Sequence, residues 1–438
     1  MDEIAERSAA YEQPYSTSER HEWQLRTWNQ EWCRILREVP YYAELATHAH
    51  LPREFRSWQQ FLDVMPTTSR ATLQRFTKEM ACQSHPHDFL RTTGGSTAEP
   101  IQLPAWNTEN AYARPDAWLA RSWYGIRPSA PLFLLWGHSH LLGEGIQGWL
   151  RGRRRKMADR LLGYYRYSAY DLSADSLRQA AQRMIEFKPE WVVGYSVALD
   201  QFARANQDCQ PELRSLGLKV VVGAAEGFPW PDSVPLISDL FGCPVAMEYG
   251  SVETNLVAHT HPAGGFRVFW RNYFVEVVGP APLLGAGRIR VTSLFPRCFP
   301  LVRYELGDEI ESRQAVDANG VFGIDHFQKV IGRCNDYVQL SDGTRVHSEA
   351  FTHAIRSCSE VSAYQVVQEG SALHLCLVAR GPLTLQARKG IQAKLMRIHP
   401  DLAYAQIKPV SRLEQTIAGK VPMILRKPAA EQSEARVS

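Results

Sequence analysis

The chain has 438 residues, 45% of them hydrophobic and 22% charged, which suits one large core plus a smaller domain and excludes a disordered or fibrous protein. A formal net charge of +3 gives no electrostatic drive towards nucleic acid or a membrane surface, so neither is expected as a partner. The eight cysteines contain no CxxC pair, which argues against a zinc ribbon or a disulfide framework and fits reduced thiols in a cytoplasm.

The first residues, Met1-Asp2-Glu3-Ile4-Ala5-Glu6-Arg7, are charged and lack the apolar run of a signal peptide. No run of about 18 apolar residues is present to cross a membrane, so a cytoplasmic location is expected. Over residues 18–48, Leu25, Trp28, Trp32, Ile35 and Leu36 recur at helical spacing and predict one or two amphipathic helices packing through a tryptophan stripe. Pro66-Thr67-Thr68-Ser69-Arg70 reads as a cap for a helix over 71–76.

Next comes Thr92-Thr93-Gly94-Gly95-Ser96-Thr97-Ala98-Glu99-Pro100. Adjacent glycines bring backbone N–H groups close to an anion, hydroxyls add donors, and the proline ends the loop. This chemistry suits a polyphosphate, although no Gly-Lys-Ser/Thr closes it as in a P-loop; a plain surface turn is the competing reading.

Residues 132–136, Leu-Phe-Leu-Leu-Trp, predict a buried strand running into Gly137-His138-Ser139-His140. Ligands of open α/β sheets bind beyond strand ends, which makes His138 a candidate, with a structural histidine as the alternative. The basic run Arg151, Arg153, Arg154, Arg155, Lys156 could meet a phosphorylated co-substrate or simply be a solvated helix face. Residues 191–195 and 219–226 predict two more buried strands, separated by helices such as 177–187, an alternating α/β pattern. Small residues over 223–225 would let a flat adenine lie against the backbone near Glu226.

The texture changes to alternation over 268–278, 287–294 and 320–330, as in antiparallel strands. A boundary is placed at 333–336. Beyond it the pattern is strand, turn (Ser341-Asp342-Gly343), helix, two strands and a helix, and the polar tail from Ala429 reads as disordered.

Five motifs follow one another in order: the glycine-rich stretch, Tyr249-Gly250-Ser251-Val252-Glu253, Arg303-Tyr304-Glu305-Leu306-Gly307-Asp308, Gly332-Arg333-Cys334-Asn335-Asp336 and Gly419-Lys420-Val421. From about Leu90 to the end, this resembles the adenylate-forming (AMP-binding) superfamily, in particular the short branch holding phenylacetate–CoA ligases, capsule-cluster adenylating proteins and deazaflavin-cofactor adenylating synthetases. The resemblance implies an α/β fold. A large N-terminal domain with distorted sheets (1–332) would carry a small mobile α+β domain (333–428) and a tail (429–438).

It also implies ATP, Mg²⁺ and a carboxylic acid, possible dimerisation at the level of the family, and CoA as the acyl acceptor. An amine or a carrier-protein thiol remains an alternative, as does a binding protein without catalysis. By resemblance Thr93, Gly94, Gly95, Ser96 and Thr97 hold the departing phosphates, Ala225, Glu226, Tyr249, Gly250 and Ser251 serve the nucleotide, and Ala224 is assigned to the acid. Glu253 binds Mg²⁺, Asp308 takes the ribose hydroxyls, and Arg333 reaches ribose or phosphates.

Lys420 is the catalytic lysine and Asn335 the hinge. Trp136, Gly137, His138 and Tyr195 line the acid pocket, with aromatics including Tyr170 hinting at an aryl acid. Three departures stand out: Ala98 for glycine, Gly94 for serine or threonine, and Asn335 where aspartate or lysine is usual. Tyr249 and Glu253 could also be a strand-end tyrosine and a surface glutamate, and Asp308 half of a buried Arg–Asp pair. His259-Thr260-His261 lacks neighbouring thiols, so zinc is not expected there.

Overall fold

The structure is a computed structural model that describes residues 2–92, 101–136, 145–169, 172–279, 286–312, 321–333, 337–342, 345–355, 358, 360–415 and 421–427. The expectations for 93–100, 137–140, Tyr170, 334–336, Lys420 and the tail lie outside the described residues. By its contacts the chain divides into two units: Met1–Thr93, Pro100–Ala130 and Ala246–Cys334 form one, and Gly94–Glu99, Pro131–Val245 and Asn335–Ser438 the other.

In the first unit the helix Thr17–Glu38 begins with a reciprocal cap. Ser16 Oγ accepts the Glu19 N–H at 3.2 Å and Glu19 accepts the Ser16 N–H at 2.8 Å, a cap that stabilises a helix by about 1 kcal/mol. The expected stripe faces inward: Trp28, Trp32 and Ile35 are fully buried, and Gln24 donates to the Trp270 carbonyl at 2.7 Å. Trp58, from the helix Trp58–Val64, stacks on Phe274 at 3.5 Å.

Phe274 belongs to a five-stranded antiparallel sheet ordered Val321–Phe322, Tyr273–Val278, Ala286–Ser293, Tyr304–Glu311, Lys329–Arg333. Register shifts at Arg288/Arg290 and Glu309/Ile310 distort it. A second antiparallel ladder joins His326–Phe327, Phe266–Val268, Asn255–Thr260 and Val245–Ser251. The first ladder contains the stretches of alternation seen in the sequence, whereas Val245–Ser251 and Asn255–Thr260 lie outside them.

The segment before the helix Arg70–Arg75 is held by the sheet. Thr68 N–H donates to the Arg303 carbonyl at 3.1 Å, and Glu305 N–H donates to the Thr68 carbonyl at 2.9 Å. Ser69 caps the helix as the sequence suggested. Arg303 braces the loop, donating to Glu276 at 2.8 Å and to the carbonyls of Leu62 and Met65 at 2.8 and 2.5 Å.

In the second unit the strands Val220–Ala224, Trp191–Tyr195, Leu132–Trp136 and Tyr164–Ser168 lie side by side and parallel. Nearly continuous apolar runs are what a parallel sheet covered by helices requires. The helices Ala174–Phe187, Ser196–Ala205 and Ser233–Phe241 supply Met184, Phe202 and Phe241 to the same core. Gly194 and Gly223 are fixed by this packing: a Cβ would come within 2.9 Å of Leu199 in the first case and 2.7 Å of Phe228 in the second. The space beside Gly223 is therefore filled by protein, which corrects the expectation that its smallness serves adenine. The basic run lies on the helix Gly145–Leu162 with Arg153 and Arg154 exposed.

The remaining part of this unit is α+β. A hairpin (Tyr337–Gln339 with Arg345–His347) leads into the helix Ser348–Ile355. A four-stranded sheet follows, ordered Gln406–Pro409, Ala372–Ala379, Val361–Glu369, Ile424–Lys427, together with the helix Leu385–Ile398. The outer two strands escaped the sequence pattern because they are short edges that alternate poorly. Trp230, between the parallel strands and the helix Ser233–Phe241, packs edge-on against Tyr364 at 5.4 Å. Among the described residues no helix is long and apolar enough to cross a membrane.

Candidate active site

Four of the motif side chains are set by one turn and one strand of the first unit. The turn joins Val245–Ser251 to Asn255–Thr260, with a register shift between Tyr249 and Gly250. Ser251 N–H donates to Thr254 Oγ1 at 2.9 Å and Thr254 N–H to Ser251 Oγ at 3.2 Å, while Asn255 takes φ +64°. Asparagine tolerates that left-handed conformation. Gly250 has no alternative, since a Cβ would lie 2.0 Å from the Asn255 carbonyl oxygen.

This turn presents Glu253, which is 6% exposed. Its Oε1 accepts from the Arg70 guanidinium at 3.1 Å and from the Tyr304 hydroxyl at 3.3 Å. Its main-chain carbonyl accepts from Arg297, and the neighbouring Thr254 carbonyl accepts from the Tyr273 hydroxyl. Glu253 is therefore a positioned carboxylate beside a cation and not a surface residue. Sequence reasoning missed Arg70 and Arg297 as its partners, because they lie far away in the chain.

Tyr249 donates its hydroxyl to Asp308 Oδ2 at 2.9 Å. Its ring is buried edge-on to Phe327 at 5.7 Å and Phe266 at 6.3 Å. Asp308 follows Gly307, whose φ of +78° turns the strand Tyr304–Glu311. Across the sheet the backbone of Arg333 is the direct neighbour of Asp308. Tyr249, Gly250, Ser251, Glu253, Asp308 and the Arg333 backbone thus belong to one framework.

A second group forms at the strand ends of the parallel sheet. Trp136 and Tyr195 meet with ring centroids 4.2 Å apart, and Ala224 is buried beside them at the next strand's end. Ser196 Oγ donates to the Glu226 carbonyl at 2.8 Å, and the Val197 N–H points at the Glu226 carboxylate at 3.4 Å, so Glu226 caps the helix Ser196–Ala205. Ala225 sits at φ +73°, a conformation that costs a residue with a Cβ about 1–2 kcal/mol. Ala225→Gly should therefore raise the unfolding free energy by about 0.5–1 kcal/mol, the relief of strain exceeding glycine's added chain entropy. Urea denaturation checks this; a fall in the midpoint would contradict it.

His259 is fully buried, with Nδ1 2.8 Å from the Thr260 carbonyl and Nε2 without a partner. Burial lowers its pKa and keeps the ring neutral. Among the described residues no group of three His, Cys, Asp or Glu side chains could hold a metal ion.

The mixed α/β fold, with its distorted antiparallel ladders and its parallel sheet covered by helices, is shared with solved structures of CoA ligases. No family model matches the sequence. The structure is similar to 2-hydroxyisobutyryl-CoA ligase in the postadenylation state in complex with 2-HIB-AMP, with a TM-score of 0.68, 17% identity, and coverage of 94% of this chain and 90% of the ligase. It is also similar to the anthranilate CoA ligase AuaEII in complex with anthranoyl-AMP (TM-score 0.50, 15% identity, 78% of this chain, 66% of the ligase). In sequence it is similar to Protein CapK of Staphylococcus aureus, 25% identical over 195 residues, which is 43% of this chain and 41% of CapK. The match thus spans about two fifths of that curated relative.

Proposed function

We propose that this protein is an ATP-dependent, AMP-forming ligase that activates a carboxylic acid as its acyl-adenylate and passes the acyl group to CoA. The observation that carries the reading is the joint placement of Tyr249, Glu253 and Asp308 on a fold shared with a CoA ligase that binds an acyl-AMP. A carboxylate oxygen attacks the α-phosphorus, the α–β P–O bond breaks and pyrophosphate leaves. The CoA thiolate then attacks the acyl carbon and AMP leaves. A carboxylate is a poor electrophile near neutral pH, and the first step removes that obstacle.

Catalysis of phosphoryl-centre attack rests on positioning and charge. In this reading Asp308, oriented by the Tyr249 hydroxyl, accepts the ribose hydroxyls, and Arg333 on the adjacent strand reaches ribose or phosphate. Tyr249, Gly250 and Ser251 serve the adenine, Ala225 and Glu226 are further nucleotide residues, and Ala224 belongs with the acid-binding set. Residues Thr93, Gly94, Gly95, Ser96 and Thr97 grip the β- and γ-phosphates. Trp136, Gly137, His138 and Tyr195 line the acid, and their aromatic pair suits a planar or aryl group.

Lys420 neutralises charge on the α-phosphate and acyl oxygen. Residues 333–428 act as a mobile domain pivoting at Asn335, and product release or rotation limits turnover. Mg²⁺ usually takes one or two carboxylates plus substrate phosphates, and Glu253 can supply one such oxygen where the metal replaces Arg70 as its counter-charge. Glu253 would hold the ion, which when bound neutralises phosphate charge.

An acid-dependent ATP–pyrophosphate exchange assay over a panel of aryl and aliphatic acids tests the reading. Exchange with at least one acid, and thioester formation on adding CoA, are expected. Trapping by hydroxylamine without any thioester would redirect the acceptor to an amine or carrier thiol. Absence of exchange with every acid would remove the proposal.

A further inference from the structure

The basic run has no part in the chemistry of Tyr249, Glu253 and Asp308. Its helix, Gly145–Leu162, carries Arg151, Arg153, Arg154, Arg155, Lys156 and Arg160 against one acidic residue, Asp159. That surplus exceeds the +3 of the whole chain, so the rest of the protein is slightly acidic and the overall count conceals a local basic face. Like charges three and four residues apart weaken a helix, as with Arg151 and Arg155, Arg153 and Lys156, or Lys156 and Arg160. A run that served only solubility would mix its signs.

The helix is held by its opposite side. Asp159 is 8% exposed and accepts from Arg166 Nε at 2.8 Å, which ties the helix to the strand Tyr164–Ser168. Met157 stands two residues earlier, about 200° round the helix, and so faces outward. It is 64% exposed, and Leu161, one turn on, is 84% exposed. The surface neighbours of Met157 are the residues three and four positions away: Arg153, Arg154, Arg160 and Leu161. All three arginines are exposed. An apolar pair is thus framed by guanidiniums on a convex ridge.

We propose that this face docks on an anionic lipid surface, such as one containing phosphatidylglycerol. Met157 and Leu161 enter the headgroup region, and the arginines pair with lipid phosphates. Charge complementarity selects a negative partner, and the apolar pair selects among negative partners. A nucleic-acid phosphate backbone gains nothing from a protruding leucine. An acidic protein must present a groove shaped to the ridge, whereas a bilayer deforms around it. Arginine suits the boundary, because its methylene stem lies along apolar surface while the guanidinium stays among the phosphates. With two apolar residues, and no spanning helix among the described residues, the attachment is peripheral and reversible. Docking of this kind is independent of the nucleotide chemistry and stands whether or not the chain is a ligase.

Flotation of the full chain with vesicles at low salt tests the face, using phosphatidylcholine alone and phosphatidylcholine with one third phosphatidylglycerol. Binding should appear with the anionic vesicles only. It should fall at least tenfold in about 0.5 M salt, where the Debye length is about 4 Å. Arg153→Gln with Arg154→Gln and Arg160→Gln should weaken it about a hundredfold, at about fivefold for each cation. Arg154→Gln alone should show that single fivefold step, which serves if the triple variant folds poorly. Met157→Ser with Leu161→Ser keeps every charge and should weaken binding at least tenfold. That pair should melt no lower than the wild type, because both side chains already lie in water. No binding to anionic vesicles, equal binding to both compositions, or wild-type binding by the arginine variants overturns the assignment. So does wild-type binding by the serine pair, which would make the face a general polyanion ridge suited to an acidic protein.

Discussion

Gly250→Ala should destabilise the protein by at least about 3 kcal/mol and reduce adenylation by about a hundredfold in whatever fraction remains folded. The added Cβ would stand 2.0 Å from the Asn255 carbonyl oxygen and 3.1 Å from the Leu256 Cα. Both are main-chain atoms of the partner strand, so no rotamer change relieves the contact. The turn must open, and with it go the Ser251–Thr254 hydrogen bonds and the approach of Glu253 to Arg70 and Tyr304. Over-packing against flexible side chains costs about 1–3 kcal/mol, and a backbone obstacle places this substitution at the upper end or beyond. Urea unfolding gives the first number and ATP–pyrophosphate exchange the second. A wild-type midpoint together with wild-type exchange would show that neither the bulge nor the turn is needed.

The glycine's importance could be suspected from its place between Tyr249 and Glu253, but the reason could not. What was legible in the sequence is what local pattern encodes. The runs ending at Trp136, Tyr195 and Ala224 gave buried parallel strands, and Trp28 and Trp32 fell on one helix face. The pairing of Tyr249 with Asp308 spans 59 residues, yet both sat in recognisable short motifs.

Arg70 meets Glu253 across 183 residues and sits in an ordinary helix start. Arg297, which reaches the Glu253 carbonyl across 44 residues, comes from a loop with no motif of its own. Contacts of that kind are set by how sheets and helices pack, and single-sequence periodicity reports only which face of one element is apolar. The same limit misled the reading of Gly223. A small residue at a strand end can make room for a ligand or for a neighbouring ring, and only the position of Phe228 decides between them.

Arg303→Met should cost about 3–5 kcal/mol, because it removes one member of a buried ion pair and leaves the other behind. Glu276 is 2% exposed and receives both Nε and NH2 of Arg303, at 3.1 and 2.8 Å. The same guanidinium donates to the Leu62 and Met65 carbonyls, so three acceptors lose their partner at once. Methionine restores much of the volume and none of the donors, which separates the electrostatic loss from a packing loss.

The effect should reach the site. Residue 303 contacts Thr68 through the main chain, and the strand Tyr304–Glu311 carries both Tyr304 and Asp308. If the stranded carboxylate is the main cost, Arg303→Met with Glu276→Leu should be more stable than Arg303→Met alone, with a coupling energy of about 1–3 kcal/mol. Additive losses in that double-mutant cycle would mean that the carbonyl contacts, not the ion pair, hold residues 62–68 against the sheet. The bridge between Thr68 and Tyr304 would then be the feature that keeps Arg70 within reach of Glu253.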